Sequence, residues 1–270
     1  MRTLRSISAL EEELEQARAG SEIGLVPTMG ALHEGHRALV DAARRENDVV
    51  VASIFVNPAQ FGPGEDFERY PRDEDADASL AEEWGVDYLF IPPSEEMYPE
   101  GFQTWVDVEQ LGAGLEGAAR PGHFRGVATV CLKLFNLVRP SRAYYGQKDA
   151  QQAAVLERMV RDLNLPLELR ILPTVRDQDG LASSSRNAYL SAEEREAARA
   201  LPRALLAGAD AHRDGGDAAE AARALLVQER RLAPEYVEVA RLNGRTYLLA
   251  AVRAGGTRLI DNVILEGERP

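Results

Sequence analysis

An α/β fold built on a parallel sheet, followed by a smaller α+β part, is what this sequence predicts. Three observations carry that expectation. Apolar runs too continuous for half-exposed strands, Asp48–Val56 foremost, alternate with helical stretches up to about residue 172. After about residue 175 the chain turns Ala-, Arg- and Glu-rich and loses its strand signals. Near the end it alternates again, around an Asn-Gly pair that marks a hairpin. The expected domains are 1–174 and 175–270.

In chain order, Ser8-Ala9-Leu10-Glu11 reads as a capping box, with Leu10, Leu14 and Ala17 as the apolar stripe and Gly20 as the stop. Ile23–Val26 is a short apolar strand, and Arg37–Arg44 an amphipathic helix. Asp48–Val56 and Tyr88–Ile91 read as buried strands on either side of a helical stretch, Asp75–Gly85. The helices expected over Thr129–Val138 and Ala150–Leu163 alternate with strands over Ala143–Gly146 and Leu167–Leu172. Residues 191–232 predict two helices broken near Gly215-Gly216. Strands follow over Tyr236–Val239, Thr246–Val252 and Arg258–Ile264, with a tight hairpin at Asn243-Gly244.

Composition excludes several classes. The 270 residues carry 31 Lys and Arg against 44 Asp and Glu, a formal charge of −13, with no dense basic run. This argues against nucleic acid as the main partner, and an anionic substrate must then be met by a local positive site. No apolar run approaches the roughly 20 residues that span a bilayer, so no membrane partner is expected. The N-terminus lacks the apolar segment of a secretory signal. Cys131 is the only cysteine and lies in an apolar stretch, as a small core residue would. Together these features place the protein in the cytoplasm.

Ligands of open α/β sheets sit outside the carboxyl ends of the strands, and four polar segments fall there. In Pro27-Thr28-Met29-Gly30-Ala31-Leu32-His33-Glu34-Gly35-His36 a strand, a Gly-containing turn and a helix start bring two of the four histidines together. Free N–H groups and the helix dipole suit such a turn to an anion, and at i,i+3 spacing His33 and His36 would share one helix face. Gly146-Gln147-Lys148-Asp149 repeats the strand-to-helix placement with a cation, and Asp149 either caps the helix or meets a metal ion. Asn57 and Gln60, with Gln151 and Gln152, offer neutral amides for hydroxyls and a carboxylate. Thr174–Asn187, with three serines and two arginines, offers hydroxyls and guanidinium to phosphates, and also fits an interdomain linker. The acidic run Asp73–Asp77 reads as a solvated helix start, with a water-mediated magnesium contact as the sharper alternative. No zinc spacing, Gly-x-Ser-x-Gly elbow or P-loop is present.

The Pro27–His36 decapeptide resembles the opening motif of the pantoate–β-alanine ligase family. So do Ser53–Phe61, Phe67–Arg72, Arg120–Val127, Gly146–Asp149, Ser184–Asn187 and Gly256–Asn262, collinearly and over nearly the whole chain. The His-x-x-His element alone indicates only the wider nucleotidyltransferase superfamily. The resemblance implies a Rossmann-like catalytic domain over 1–174 with a smaller lid domain over 175–270. It also implies a reaction in which pantoate and ATP, with Mg²⁺, form pantoyl adenylate that β-alanine then attacks. It places Met29, Gly30, His33, His36, Gly146, Gln147, Lys148, Asp149, Val175, Ser183, Ser184, Ser185 and Arg186 at ATP, and Gln60 and Gln152 at pantoate. Gln60 also falls at β-alanine. His36, His33, Lys148 and Arg186 are the implied catalytic groups, Asp77 and Asp149 the implied routes to the metal, and a homodimer the implied assembly. The chain departs from the family at Ser183, where Met is usual, at Ala150, where an aromatic is usual, and in a short C-terminal part.

Overall fold

The computed structural model describes residues 1–268. It contains two compact units: Met1–Tyr145 with Gln151–Leu172, and Gly146–Ala150 with the chain from Pro173 onward. The sequence placed residues 146–150 in the first domain. Their contacts put them in the second, because the Asn262 side chain donates to the carbonyls of Gln147 and Lys148, each at 2.9 Å.

The first unit runs β1 (Arg2–Leu4), α1 (Ile7–Ala17), β2 (Ile23–Thr28), α2 (Glu34–Glu46), β3 (Val49–Ile54), α3 (Glu74–Glu83) and β4 (Tyr88–Phe90). It continues through two short helices, α4 (Ser94–Met97) and α5 (Glu116–Ala119), then α6 (His123–Val138), β5 (Arg142–Gly146), α7 (Ala150–Asp162) and β6 (Glu168–Leu172). The six strands form one sheet in the order β1-β4-β3-β2-β5-β6. Its central pairs are parallel, with Leu25 opposite Val51 on one side and Ala143 on the other. The continuous apolar runs have a direct cause, since both faces of the sheet are covered. Leu25 and Val51 point into a core with Leu10, Leu14, Leu134 and Leu156, from α1, α6 and α7. Val26 and Val50 point the other way, onto Leu39, Val40 and Ala81 from α2 and α3. Chain direction across the sheet reverses between β2 and β5, so the carboxyl end of β2 lies at a topological switch point.

Two local expectations are corrected. The first helix opens at Ile7, and Ser6, not Ser8, caps it by accepting from the Ala9 N–H at 3.2 Å. α6 opens at His123 rather than Thr129, its first turn obscured in the sequence by Gly122 and Gly126. β1 is too short to show a period, with only Leu4 of its residues buried.

The second unit contains α8 (Ala192–Ala198), α9 (Ala200–Arg213), α10 (Ala218–Leu226), β7 (Leu232–Leu242), β8 (Arg245–Ala254) and β9 (Thr257–Glu266). Three helices stand where two were expected, because the chain breaks at Arg199 as well as near Gly215-Gly216. The strands form an antiparallel sheet in the order β7-β8-β9. The tight hairpin is present, with Leu242 paired to Arg245 across Asn243 and Gly244 at φ 45° and 87°, the left-handed pair that a primed turn needs. Among the described residues no helix is long and apolar enough to cross a membrane.

Candidate active site

In the first unit the site begins where β2 ends. The Thr28 hydroxyl donates to the Ser53 carbonyl at 2.7 Å and accepts from the Gly30 N–H at 3.1 Å, which turns the chain out of the sheet. Gly30 and Ala31 both adopt positive φ, at 84° and 50°. Gly30 has no room for a side chain either, since a Cβ there would lie 2.8 Å from Asp77 Oδ2 and 3.0 Å from Ile54 Cγ2.

Asp77 holds this turn. Its Oδ2 accepts from the Ala31 N–H at 2.8 Å and its Oδ1 from the Leu32 N–H at 2.7 Å, on a residue that is 4% exposed. Burial raises its pKa against the pull of those two N–H groups. Both oxygens of Asp77 thus serve the loop. The solvated helix start is carried instead by Asp73, which caps α3 by accepting from the Ala76 N–H at 3.1 Å.

The two histidines form a reciprocal capping box rather than sharing a helix face. His33 is the N-cap of α2, and its Nδ1 accepts from the Gly35 N–H at 3.1 Å. His36, in the first turn, accepts the His33 N–H on its own Nδ1 at 3.3 Å, and the two rings lie 4.1 Å apart. A backbone N–H can only donate, so each neutral ring carries its proton on Nε2. The capping geometry thus leaves two Nε2–H donors at a helix N-terminus, a chemistry suited to phosphate oxygens.

Gln60 follows β3 on the 3₁₀ turn Pro58–Gln60. It is buried, with its Oε1 accepting from Asn57 Nδ2 at 3.1 Å and its Nε2 2.9 Å from Met29 Sδ. Met29 and Gln60 are therefore brought together. Gln152 stands half-buried on α7. Its neighbour Gln151 is withdrawn from any substrate role, since it accepts from the Glu116 N–H and donates to the carbonyls of Leu111 and Gly114.

Behind Gln60 lies a cluster whose role the sequence did not reveal. Arg120 grips Glu65 with two bonds, at 2.9 and 2.6 Å, and donates to the Gln60 carbonyl at 3.3 Å. Its Nη1 lies 3.1 Å from His123 Nε2, while His123 Nδ1 is 2.8 Å from the same carbonyl. A guanidinium cannot accept and a carbonyl cannot donate, so His123 is neutral with its proton on Nδ1. Burial and the Arg120 charge push it down to about 4, against the opposing Gln60 carbonyl and the charges of Glu116 and Glu65. Burial pushes Glu65 up, but the bonds and charge of Arg120 outweigh it and leave its pKa lowered.

A pH dependence follows. Above about 6.5 the His123 ring is neutral in both folded and unfolded chains. Between there and about 4 the unfolded chain takes up a proton that the folded chain refuses, so stability falls as pH falls, by up to about 3 kcal/mol. Urea unfolding at pH 7 and pH 5 is expected to show this loss, and His123→Gln to flatten it. An equal slope in the variant would exclude His123 as the source.

In the second unit, Gln147 Nε2 donates to Asn262 Oδ1 at 3.1 Å, which with the bonds that Asn262 returns fixes the backbone around Lys148. Lys148 Nζ lies 3.5 Å from Asp149 Oδ1, with the lysine side chain 21% exposed. A Cβ at Gly146 would meet open space, so no protein packing requires glycine there. Val175 accepts the Ser183 N–H at 2.9 Å, closing a loop that leads straight into Ser184-Ser185-Arg186. Ser184 caps the 3₁₀ turn Ser185–Tyr189 by accepting from the Arg186 N–H at 3.3 Å. Ser183 is buried and donates its hydroxyl to Asp177 at 2.5 Å. Among the described residues no group of three or more His, Cys, Asp or Glu converges as a metal site.

Sheet, switch point and imidazole-bearing helix start define an α/β enzyme scaffold with a strand–loop–helix whose donors suit an anion. The particular family follows from comparison with known proteins. The family model described as pantoate-beta-alanine ligase matches residues 2–264, and the chain belongs to that family. The chain is 54% identical to the pantothenate synthetase of Moorella thermoacetica over 280 aligned residues, covering 98% of this chain and 99% of that protein. It is 55% identical to that of Chloroflexus aurantiacus, covering 95% and 96%. The crystal structure of pantothenate synthetase from Thermus thermophilus superposes with a TM-score of 0.94 at 49% identity, covering 99% and 100% of the two chains. That of the Francisella tularensis ligase, complexed with Beta-gamma ATP and Beta-alanine, superposes with a TM-score of 0.85 at 33% identity over 99% of each chain.

Proposed function

We infer that this chain condenses pantoate with β-alanine at the expense of ATP. The pantoate carboxylate attacks the α-phosphorus and expels pyrophosphate, giving pantoyl adenylate. The amine of β-alanine then attacks the acyl carbon, and AMP leaves with the formation of the amide. The observation that carries this reading is the family match across nearly the whole chain, together with two Nε2–H imidazole donors at the helix start after β2.

Adenylation gathers negative charge around the α-phosphate, so cations and N–H donors set in place beforehand lower its barrier. We assign His33 and His36 to the phosphates, with His36 as proton donor. Lys148 neutralises charge on the transferred group, and Ser184, Ser185 and Arg186 receive the departing pyrophosphate. Met29, Gly30, Gly146, Gln147 and Val175 line the nucleotide. Gln60 and Gln152 take the pantoate hydroxyls and carboxylate, with Gln60 also beside β-alanine. Mg²⁺ is assigned to the nucleotide, where it would screen phosphate charge, with Asp77 and Asp149 as the protein carboxylates that would reach it, directly or through water. We further propose a cytoplasmic homodimer. The deciding measurement is pantoate-dependent exchange of labelled pyrophosphate into ATP in the presence of Mg²⁺. Exchange that requires pantoate but not β-alanine is the expected result. A folded protein that gives no exchange would falsify the reading.

A further inference from the structure

The tripeptide Ser184-Ser185-Arg186 is bracketed by a single carboxylate. The residue before it, Ser183, donates its hydroxyl to Asp177 Oδ1 at 2.5 Å. The residue after it, Asn187, donates its Nδ2 to Asp177 Oδ2 at 3.2 Å and to the Ala182 carbonyl at 3.1 Å. Arg195 of α8 closes the arrangement, with Nη2 2.8 Å from Asp177 Oδ2 and Nε 2.7 Å from Asp179 Oδ2. Ser183 and Asn187 are both buried, so neither bond has water as an easy substitute.

We propose that Asp177 is a positioning residue for pyrophosphate, acting by fixing both ends of Ser184-Ser185-Arg186. The proposal rests on the assignment of that tripeptide to the leaving group. A short 3₁₀ turn has few bonds of its own to define its shape. Its hydroxyls and guanidinium keep their aim only if the flanking residues are held, and one ionised carboxylate with three donors does this with charge-assisted bonds. Burial alone would raise the Asp177 pKa, but Ser183, Arg195 and Asn187 outweigh it and keep the group lowered, hence ionised at neutral pH. The Ser183 hydroxyl serves as one arm of the bracket.

The test compares wild type, Asp177→Asn, Ser183→Ala and Ser183→Thr in the pyrophosphate exchange reaction, with separate KM values for pyrophosphate, ATP and pantoate. Asp177→Asn is nearly isosteric, yet it sets an amide against the Asn187 and Arg195 donors. Its KM for pyrophosphate and ATP is expected to rise about tenfold or more, with the pantoate KM held within about twofold. Ser183→Ala is expected to raise the pyrophosphate KM by a smaller factor, and Ser183→Thr, which keeps the donor, to restore it. A merely structural role would move all three KM values together or none of them, and either result overturns the proposal. If Asp177→Asn does not fold, the Ser183 pair decides, and equal behaviour of Ala and Thr overturns it. A folded wild type without exchange removes the functional reading itself, whereas an active wild type with unchanged variants removes only the role of Asp177.

Discussion

Lys148→Ala is expected to lower turnover about 100-fold or more while leaving the fold and melting temperature essentially unchanged. The separation of the two effects comes from how the segment is held. The backbone at Gln147 and Lys148 is fixed by Asn262, whose amide serves both carbonyls, and Asn262 is 2% exposed. The ammonium takes no part in those bonds. Its partner Asp149 stands at 3.5 Å on a half-exposed side chain, an ion pair of the kind that contributes little to stability. Its chemical weight is larger, because the chain as a whole carries −13 and repels an anionic nucleotide. A charge that meets the phosphoryl group as negative charge builds is felt in kcat and in kcat/KM alike. Lys148→Arg is expected to recover part of the rate, since a guanidinium keeps the charge but is broader than an ammonium. Exchange rates and melting curves on the same preparations check both statements. Near-normal turnover in Lys148→Ala would remove it from the chemistry, and a large drop in melting temperature would make it structural.

What the sequence disclosed and what it hid divide along physical lines. The strand Val49–Ile54 was legible because a strand buried on both faces must be apolar throughout. The Asn243-Gly244 hairpin was legible because few residue pairs tolerate two successive left-handed conformations. His33 and His36 were legible as a pair, but their tautomers needed the capping geometry. The part Asp77 plays in holding the turn was hidden, because only the fold brings the Ala31 and Leu32 N–H groups to it. Gln151 and Gln152 are adjacent and chemically identical, and nothing local tells which one turns inward. Arg120 and His123 lie in a motif recognisable by resemblance, yet their work on the Gln60 carbonyl appears only when α6 and the turn after β3 meet. The roles of Asp77, Arg120 and His123 were hidden because each depends on a partner distant in sequence.

That meeting also sets a large structural effect for a single added methyl group, in Gly126→Ala. A Cβ at Gly126 would lie 2.3 Å from the Ala59 carbonyl oxygen, 2.5 Å from its carbon and 2.7 Å from the Gln60 nitrogen. All three are backbone atoms, so no side chain can rotate out of the way, and α6 must move off the turn. Alanine gains about 1 kcal/mol over glycine in a helix interior, but overpacking of this kind costs about 1–3 kcal/mol or more, and the backbone contact puts this site at the upper end. Destabilisation therefore wins, with a fall in melting temperature of several degrees. The approach of helix to turn also lets Asn57 Nδ2 reach the Gly126 carbonyl at 3.2 Å and His123 reach that of Gln60 at 2.8 Å. Moving α6 breaks both bonds and releases the Gln60 side chain. The variant is thus expected to raise the pantoate KM more than the ATP KM, the opposite of the pattern expected for Asp177→Asn. Gly20→Ala is the control, since its Cβ would meet nothing within 4 Å. If Gly126→Ala melts with the wild type and keeps its pantoate KM, the turn after β3 is not held by this contact, and the position of Gln60 must be set by its bonds to Asn57, Met29, Arg120 and His123.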